Sequence, residues 1–223
     1  MFDSLIDKVC SRFSQKNISD CDFFVLLIPN RPINKAIFKI KKHFSKIVSL
    51  PIQKDYSAHL TLLWGIKFDA PIDLKNFLRH LFRVSKEQKT IKFNHYFVSR
   101  LEDRVIFDFS DVDNLFELRS KLLRKSYLFS DVLSLSFLKF NYNRNKDDTD
   151  EWYFHPHITI LDLSEFNSPF FYYNKELALK EALVSSKRLA KTYVSKFEFV
   201  KTAFVYNDKK DPSWKKLISF DLL

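Results

Sequence analysis

One glycine, Gly65, stands in a chain of 223 residues. This scarcity limits what the chain can fold into more than any other feature. The glycine-rich phosphate loops of dinucleotide-binding and P-loop folds need several glycines at fixed spacing, because their backbone bends where a Cβ is not tolerated. Neither loop can be built here, so any phosphate must be held some other way. Collagen-like and glycine-linker architectures fail on the same count. The chain nevertheless has a core to bury: 46% of its residues are hydrophobic and 17% aromatic, with 25 phenylalanines, which excludes disorder for most of it. Its length fits one large domain or two intimately packed lobes.

Short apolar runs alternate with helical periodicity. Phe23 to Pro29 reads as a strand, and Ile33 to Val48 as a helix with Ile37, Ile40, Phe44, Ile47 and Val48 on one side. The pair repeats, with His59 to Phe68 as a strand and Ile72 to Val84 as a helix. Thr90 to Val98 and Arg104 to Phe109 read as two strands joined by the turn Ser99 to Asp103, and Asp111 or Asp113 as the cap of a helix running to about Lys125. Ser130 to Phe140 alternates like a strand, and the polar stretch Asn141 to Asp150 reads as a mobile loop. His157 to Leu163 is a third buried strand, Lys175 to Tyr193 a helix, and Phe197 to Tyr206 with Leu217 to Leu222 a terminal hairpin. This order predicts an α+β architecture of mainly antiparallel sheets with helices outside.

The balance of 37 basic against 27 acidic side chains gives a net charge of +10, which favours anionic partners such as nucleotides, RNA or acidic membrane. Abundant Phe, Lys, Asn and Ile beside scarce Gly and Ala look like the imprint of an AT-rich coding sequence, so codon use accounts for part of the lysine excess. Two cysteines, Cys10 and Cys21, are too few for a disulfide framework. The opening MFDSLIDKVCSRF lacks the basic and apolar regions of a signal peptide, and the apolar run Phe23 to Ile28 is too short to span a bilayer. A cytosolic protein is expected.

Chemistry concentrates in two matched tetrapeptides, His59-Leu60-Thr61-Leu62 and His157-Ile158-Thr159-Ile160. With six histidines and six threonines, one His-x-Thr is expected by chance about 0.16 times, so two with apolar residues at every x are not coincidence. In a strand, residues i and i+2 share a face. Each motif therefore sets an imidazole and a hydroxyl together and anchors its apolar pair in a core. In-line cleavage of a phosphodiester needs a base for the entering oxygen and an acid for the leaving one, and histidine serves as either. Thr61 and Thr159 would donate to the non-bridging oxygens. The sequence does not say which histidine is the acid.

The paired motif resembles the 2H phosphoesterase superfamily, the LigT-like group of RNA 2′,3′-cyclic and 2′,5′-phosphodiesterases, over about residues 23 to 222. HLTLLWG is similar to the first family motif with its trailing aromatic and glycine, and His155-Pro156-His157-Ile158-Thr159-Ile160 to the second. Where the family commonly carries Arg before that proline, this chain has His155, and its 141–150 segment is longer than usual. The resemblance implies a single bilobal domain over 1–223, two mainly antiparallel sheets lining a central cleft, residues 1–22 as an N-terminal extension, and active-site strands near 58–66 and 156–162. It further implies His59 and His157 as catalytic residues, Thr61 and Thr159 as phosphate ligands, no metal, no cofactor, a nucleotide or short RNA substrate, and neither membrane nor obligate protein partner. The stand-alone format and AT-rich imprint are similar to viral members that dismantle host immune nucleotides, such as 2′,5′-oligoadenylates or 2′,3′-cGAMP, which would place the protein in the host cytoplasm.

Other readings stay open at this point. His155 and His157 share a strand face and could bind a metal with His59, although threonines in place of carboxylates argue against it. The alternative for His155 is a rim residue touching substrate or solvent. Of the aromatics flanking the motifs, Tyr56 and Trp152 sit in predicted loops and are the preferred base-stacking residues. Lys41-Lys42, Lys209-Lys210 and Lys215-Lys216 read as solvated surface, and His43, His80 and His95 as structural residues without partners. Within phosphodiester chemistry the rivals are RNA 2′,3′-cyclic ends and 3′-end RNA processing. Outside it, the rival is a nucleic-acid-binding module without catalysis, for which two matched acid-base residues would be superfluous.

Overall fold

The computed structural model describes residues 2–13, 18–47, 58–68, 70–109, 112–126, 155–163, 169–194, 196–208 and 211–223. The predicted strand Ser130 to Phe140, the 141–150 loop, Tyr56, Trp152, Asp111 and Lys209-Lys210 lie outside them.

Two antiparallel sheets form the frame. The first joins β1 (Cys21–Pro29), β2 (Leu60–Ile66), β3 (Ile91–Phe93), β7 (Phe197–Asp208) and β8 (Asp211–Asp221), in the order β2-β1-β7-β3, with β8 also paired to β7. β7 is long enough to hold two partners on one side, β3 along Phe197 to Phe199 and β8 from Lys201 onward. The second sheet is β4 (Tyr96–Leu101), β5 (Arg104–Phe109) and β6 (His157–Asp162), in that order.

Local chemistry explains most element limits. α2 (Arg31–Ile47) starts where Asn30 Oδ1 accepts the Ile33 amide at 3.2 Å, an N-cap that satisfies one of the orphan donors of the first turn. α3 (Pro71–Glu87) opens on a proline that has no N–H to lose, and Asp73 Oδ2 accepts the Ala70 amide. α4 (Asp113–Ser126) begins one step earlier than a capping Asp113 would require: the Val112 carbonyl accepts the Leu115 and Phe116 amides, so Asp113 is the first helical residue. α5 spans Pro169–Tyr193.

The predicted strand Thr90 to Val98 is in fact two. It breaks at Asn94 and His95, with β3 going to the first sheet and β4 to the second. The hairpin after it is tighter than the sequence implied, with only Glu102 and Asp103 between the paired Leu101 and Arg104 and a left-handed φ of 50° at Glu102.

The sheets share one core. Phe23, Val25 and Leu27 of β1 cluster with Val105, Phe107 and Phe109 of β5, and Phe197 at the start of β7 is the joint between them. Its ring meets Tyr96, Phe107 and Phe109 at 5.0–5.1 Å, all edge-on, the arrangement that aromatic quadrupoles favour. Helices cover this side: α3 packs on β8, α4 beside β2, and α5 against β4 and β5. Residues 1–22, expected as an extension, contribute α1 (Phe2–Ser11), whose Ile6 and Val9 are buried in the same core. Asp3 pairs with Arg79 and Asp7 with Lys75, tying α1 to α3. His80 is not without a partner: its Nε2 lies 3.3 Å from the Lys121 carbonyl and links α3 to α4. No helix among the described residues is long and apolar enough to cross a membrane.

Candidate active site

Both motifs stand on edge strands. Among the described residues β2 ends the first sheet and β6 the second, and the two lie against each other, with Cα atoms within 8 Å. Two motifs far apart in the chain are thereby carried by neighbouring strands.

The two strands also share a defect. In β2, Thr61 pairs with Leu26 and Leu63 with the adjacent Val25, so Leu62 is an extra residue. In β6, Thr159 pairs with Ile106 and Leu161 with the adjacent Val105, so Ile160 is extra. Each ladder therefore carries a one-residue bulge at the position directly after its threonine. A bulge bends its strand and re-aims the neighbouring side chains, and such defects gather beside active sites. Simple alternation does not survive it: Leu62 and Leu63 are both buried, as are Ile160 and Leu161. The core side of each motif holds as expected, with Leu60, Leu62, Ile158 and Ile160 at most 4% exposed while His59, Thr61, His157 and Thr159 are half-buried. His59 lies just before β2 rather than within it.

β2 carries a second irregularity. Between the pairs Phe23–Ile66 and Val25–Leu63, Trp64 and Gly65 oppose Phe24 alone, and Gly65 takes a φ of 64°. The one glycine of the chain thus sits where a left-handed residue is required.

Register assigns the rest of the polar face. In the first sheet, Thr61 shares a face with Leu26 and Ala203, and there Phe24, Ile28 and Trp214 surround a small second apolar cluster. Trp214 stacks on Phe24 at 4.6 Å, and the His59 ring lies 5.3 Å from it at 40°. In the second sheet, Asp108 is the cross-strand partner of His157, and Ile106 of Thr159.

His157 Nδ1 lies 2.6 Å from the His155 carbonyl. Since a carbonyl only accepts, Nδ1 carries the proton, and the lone pair of neutral His157 is on Nε2. Burial pushes the His157 pKa below its ordinary value. The backbone hydrogen bond opposes that shift, the charges of His155 and Arg104 add to it, and Asp108 opposes it. The His155 ring is turned to Asp108, Nε2 to Oδ1 at 2.9 Å.

The structure thus sets the two motif strands beside each other, places Trp214 against His59 and Asp108 against His155 and His157, and so adds two residues that sequence reasoning missed, Asp108 and Trp214. Neither has a local signal. Asp108 is identified by pairing across β5 and β6, and Trp214 by the β7–β8 ladder, from which its ring reaches Phe24 of β1. Among the described residues no group of three or more His, Cys, Asp or Glu is arranged to hold a metal ion. Lys215, from one of the lysine pairs, lies over the Tyr206 ring and 3.6 Å from Asp208.

No protein-family model and no curated protein matches the sequence. Solved structures do. Escherichia coli LigT in its apo form superposes with a TM-score of 0.51 at 15% identity, over 92% of this chain and 99% of that one. TT0787 of Thermus thermophilus gives 0.51 at 12% identity, over 90% and 97%. At such identities the likeness is one of fold, and it spans nearly the whole of each chain: this protein has the fold of LigT, built here on two antiparallel sheets that, among the described residues, each carry a His-x-Thr-x motif at one edge.

Proposed function

We propose that this protein is a metal-independent phosphodiesterase that cleaves 2′,5′-phosphodiester bonds in signalling nucleotides, 2′,5′-oligoadenylate or 2′,3′-cGAMP, an activity that would antagonise innate immune signalling. The observation that carries the phosphodiesterase reading is the meeting of β2 and β6, each with a half-buried histidine at its start, a half-buried threonine two residues on and a bulge after the threonine. Acid, base and oxyanion donors are then all supplied by side chains.

The two histidines differ in surroundings, and acid-base pairs are recognised by such differences. His157, held neutral by burial with its Nδ1 proton on a carbonyl, offers a lone pair at Nε2 and is the base. His59 lies against the Trp214 ring, whose π-face attracts a cation, and is the acid. In a 2′,5′ linkage the adjacent 3′-hydroxyl is the nearest nucleophile. Its oxygen bonds to phosphorus as its proton passes to His157. The bond from phosphorus to the 5′ oxygen breaks, that oxygen takes a proton from His59, and a 2′,3′-cyclic phosphate remains. Thr61 and Thr159 donate to the non-bridging oxygens throughout.

The test is a substrate panel with products resolved by mass: a 2′,5′-linked adenylate, its 3′-deoxy analogue, 2′,3′-cGAMP, RNA bearing a 2′,3′-cyclic end, and DNA. The expected result is rapid cleavage of the 2′,5′ substrates to cyclic phosphates, none of the 3′-deoxy analogue or DNA, and a loss of about 10²–10⁴ in turnover for His59→Ala or His157→Ala. Cleavage of the 3′-deoxy analogue would mean that water attacks directly. Inertness toward every 2′,5′ substrate would transfer the assignment to RNA 2′,3′-cyclic ends, and inertness toward the whole panel would leave a binding module.

A further inference from the structure

Across the second sheet, one row of partners on a single face runs Phe97, Asp108, His157. The carboxylate in the middle is engaged on both oxygens, Oδ1 by His155 Nε2 at 2.9 Å and Oδ2 by the Ser99 hydroxyl at 3.4 Å. His155 in turn supplies the carbonyl that takes the His157 Nδ1 proton. Between the two histidines stands Pro156, which is buried. Proline fixes its own φ and restricts the residue before it to extended conformations, so the direction of the His155 carbonyl follows from where His155 is anchored. The rings of His155 and His157 lie 5.6 Å apart and nearly edge to face.

We propose that Asp108 and His155 are a positioning pair for His157: the carboxylate pins the His155 ring, and pinned His155 holds the carbonyl that keeps the His157 lone pair on Nε2. This rests on the reading of His157 as the base in the proposed function. The pair is half-exposed, with side chains 35% and 26% accessible, so as an ion pair it contributes little stability. Its effect is on orientation. A base that rotates or changes tautomer loses the in-line geometry on which proton transfer depends, and misplacement by about 1 Å costs on the order of 100-fold in rate.

The experiment compares Asp108→Ala, His155→Ala and His155→Gln in the full chain, each checked for native circular dichroism. Glutamine places an amide nitrogen near the position of Nε2 and still donates to the carboxylate. Two readouts are taken: the tautomer of His157 in the free protein, from nitrogen-resolved imidazole NMR, and kcat and KM on whichever panel substrate is turned over. Asp108→Ala and His155→Ala are expected to give a mixture of His157 tautomers and a kcat lowered about 10- to 100-fold with KM changed less than about twofold, while His155→Gln keeps the Nδ1–H tautomer and most of kcat. Two results would overturn the proposal. The first is an unchanged tautomer and kcat in both alanine variants, which would reduce the pair to a surface contact. The second is a His155→Gln variant as impaired as His155→Ala with the loss in KM, which would make His155 a substrate contact. If nothing in the panel is turned over, the NMR arm still decides: loss of the single tautomer in His155→Ala supports the pair, and its persistence refutes it.

Discussion

Two buried hydroxyls fasten the helix α3 to the sheet that carries the first motif, and removing them one at a time should give unequal results. Ser85 Oγ donates to the Leu81 carbonyl at 2.7 Å, which uses its only proton, so Thr202 must be the donor in the 2.7 Å contact between Thr202 Oγ1 and Ser85 Oγ. Both residues are at most 1% exposed. Ser85→Ala strands the Thr202 hydroxyl without an acceptor in the core, at a cost of about 1–3 kcal/mol, reduced by the few tenths by which alanine is the better helix former. Thr202→Val removes the donor and leaves Ser85 bonded to Leu81, so it should cost only about 0.5–1 kcal/mol. The double variant leaves no orphan at all. It should therefore be more stable than Ser85→Ala alone by about 1 kcal/mol, although it carries an additional substitution. Urea unfolding of the four proteins, followed by tryptophan fluorescence, measures the cycle. Strictly additive single costs, or a double variant less stable than Ser85→Ala, would refute this assignment of donor and acceptor.

Gly65→Ala should cost about 1 kcal/mol from backbone strain alone, because a Cβ built at φ 64° meets no atom within 4 Å; an unfolding free energy, from urea denaturation, that rises, or falls by about 3 kcal/mol or more, would contradict this. For the proposed reaction, the His157 pKa lies below the ordinary histidine value of 6.5, chiefly through burial, so the base form persists into mildly acid solution and the acid limb of kcat/KM should fall below pH 6.5. The same depression means that the stability contributed by neutral His157 is lost as pH drops from 6.5 through the folded value. Arg104→Gln removes one of the charges that lower this pKa and should move the acid limb upward; a limb that stays in place would show that Arg104 does not act on His157, and one that moves down would contradict the sign.

What the sequence determined by itself is whatever depends on neighbours along the chain. The helical spacing of Ile37, Ile40 and Phe44, the proline opening α3 and the unbroken apolar run of β1 are local, and each element formed where its pattern stood. The two His-x-Thr-x tetrapeptides were equally legible, because which side chains are available and which share a strand face are properties of a few consecutive residues. Tertiary structure decided everything that rests on partners. Thr90 to Val98 looks like one strand, yet the pairing surfaces available to its two ends belong to different sheets, so it breaks between them. Bulges at Leu62 and Ile160 exist only relative to β1 and β5, since an extra residue can be counted only against a partner strand. Asp108 and Trp214 acquire meaning from register alone, one set beside His157 by the β5–β6 ladder and the other beside His59 by the return of β8. Composition and spacing could supply two histidines and two threonines in matched motifs. Bringing two sheet edges together, and giving each histidine a different environment, required the long-range pairing that no local pattern encodes.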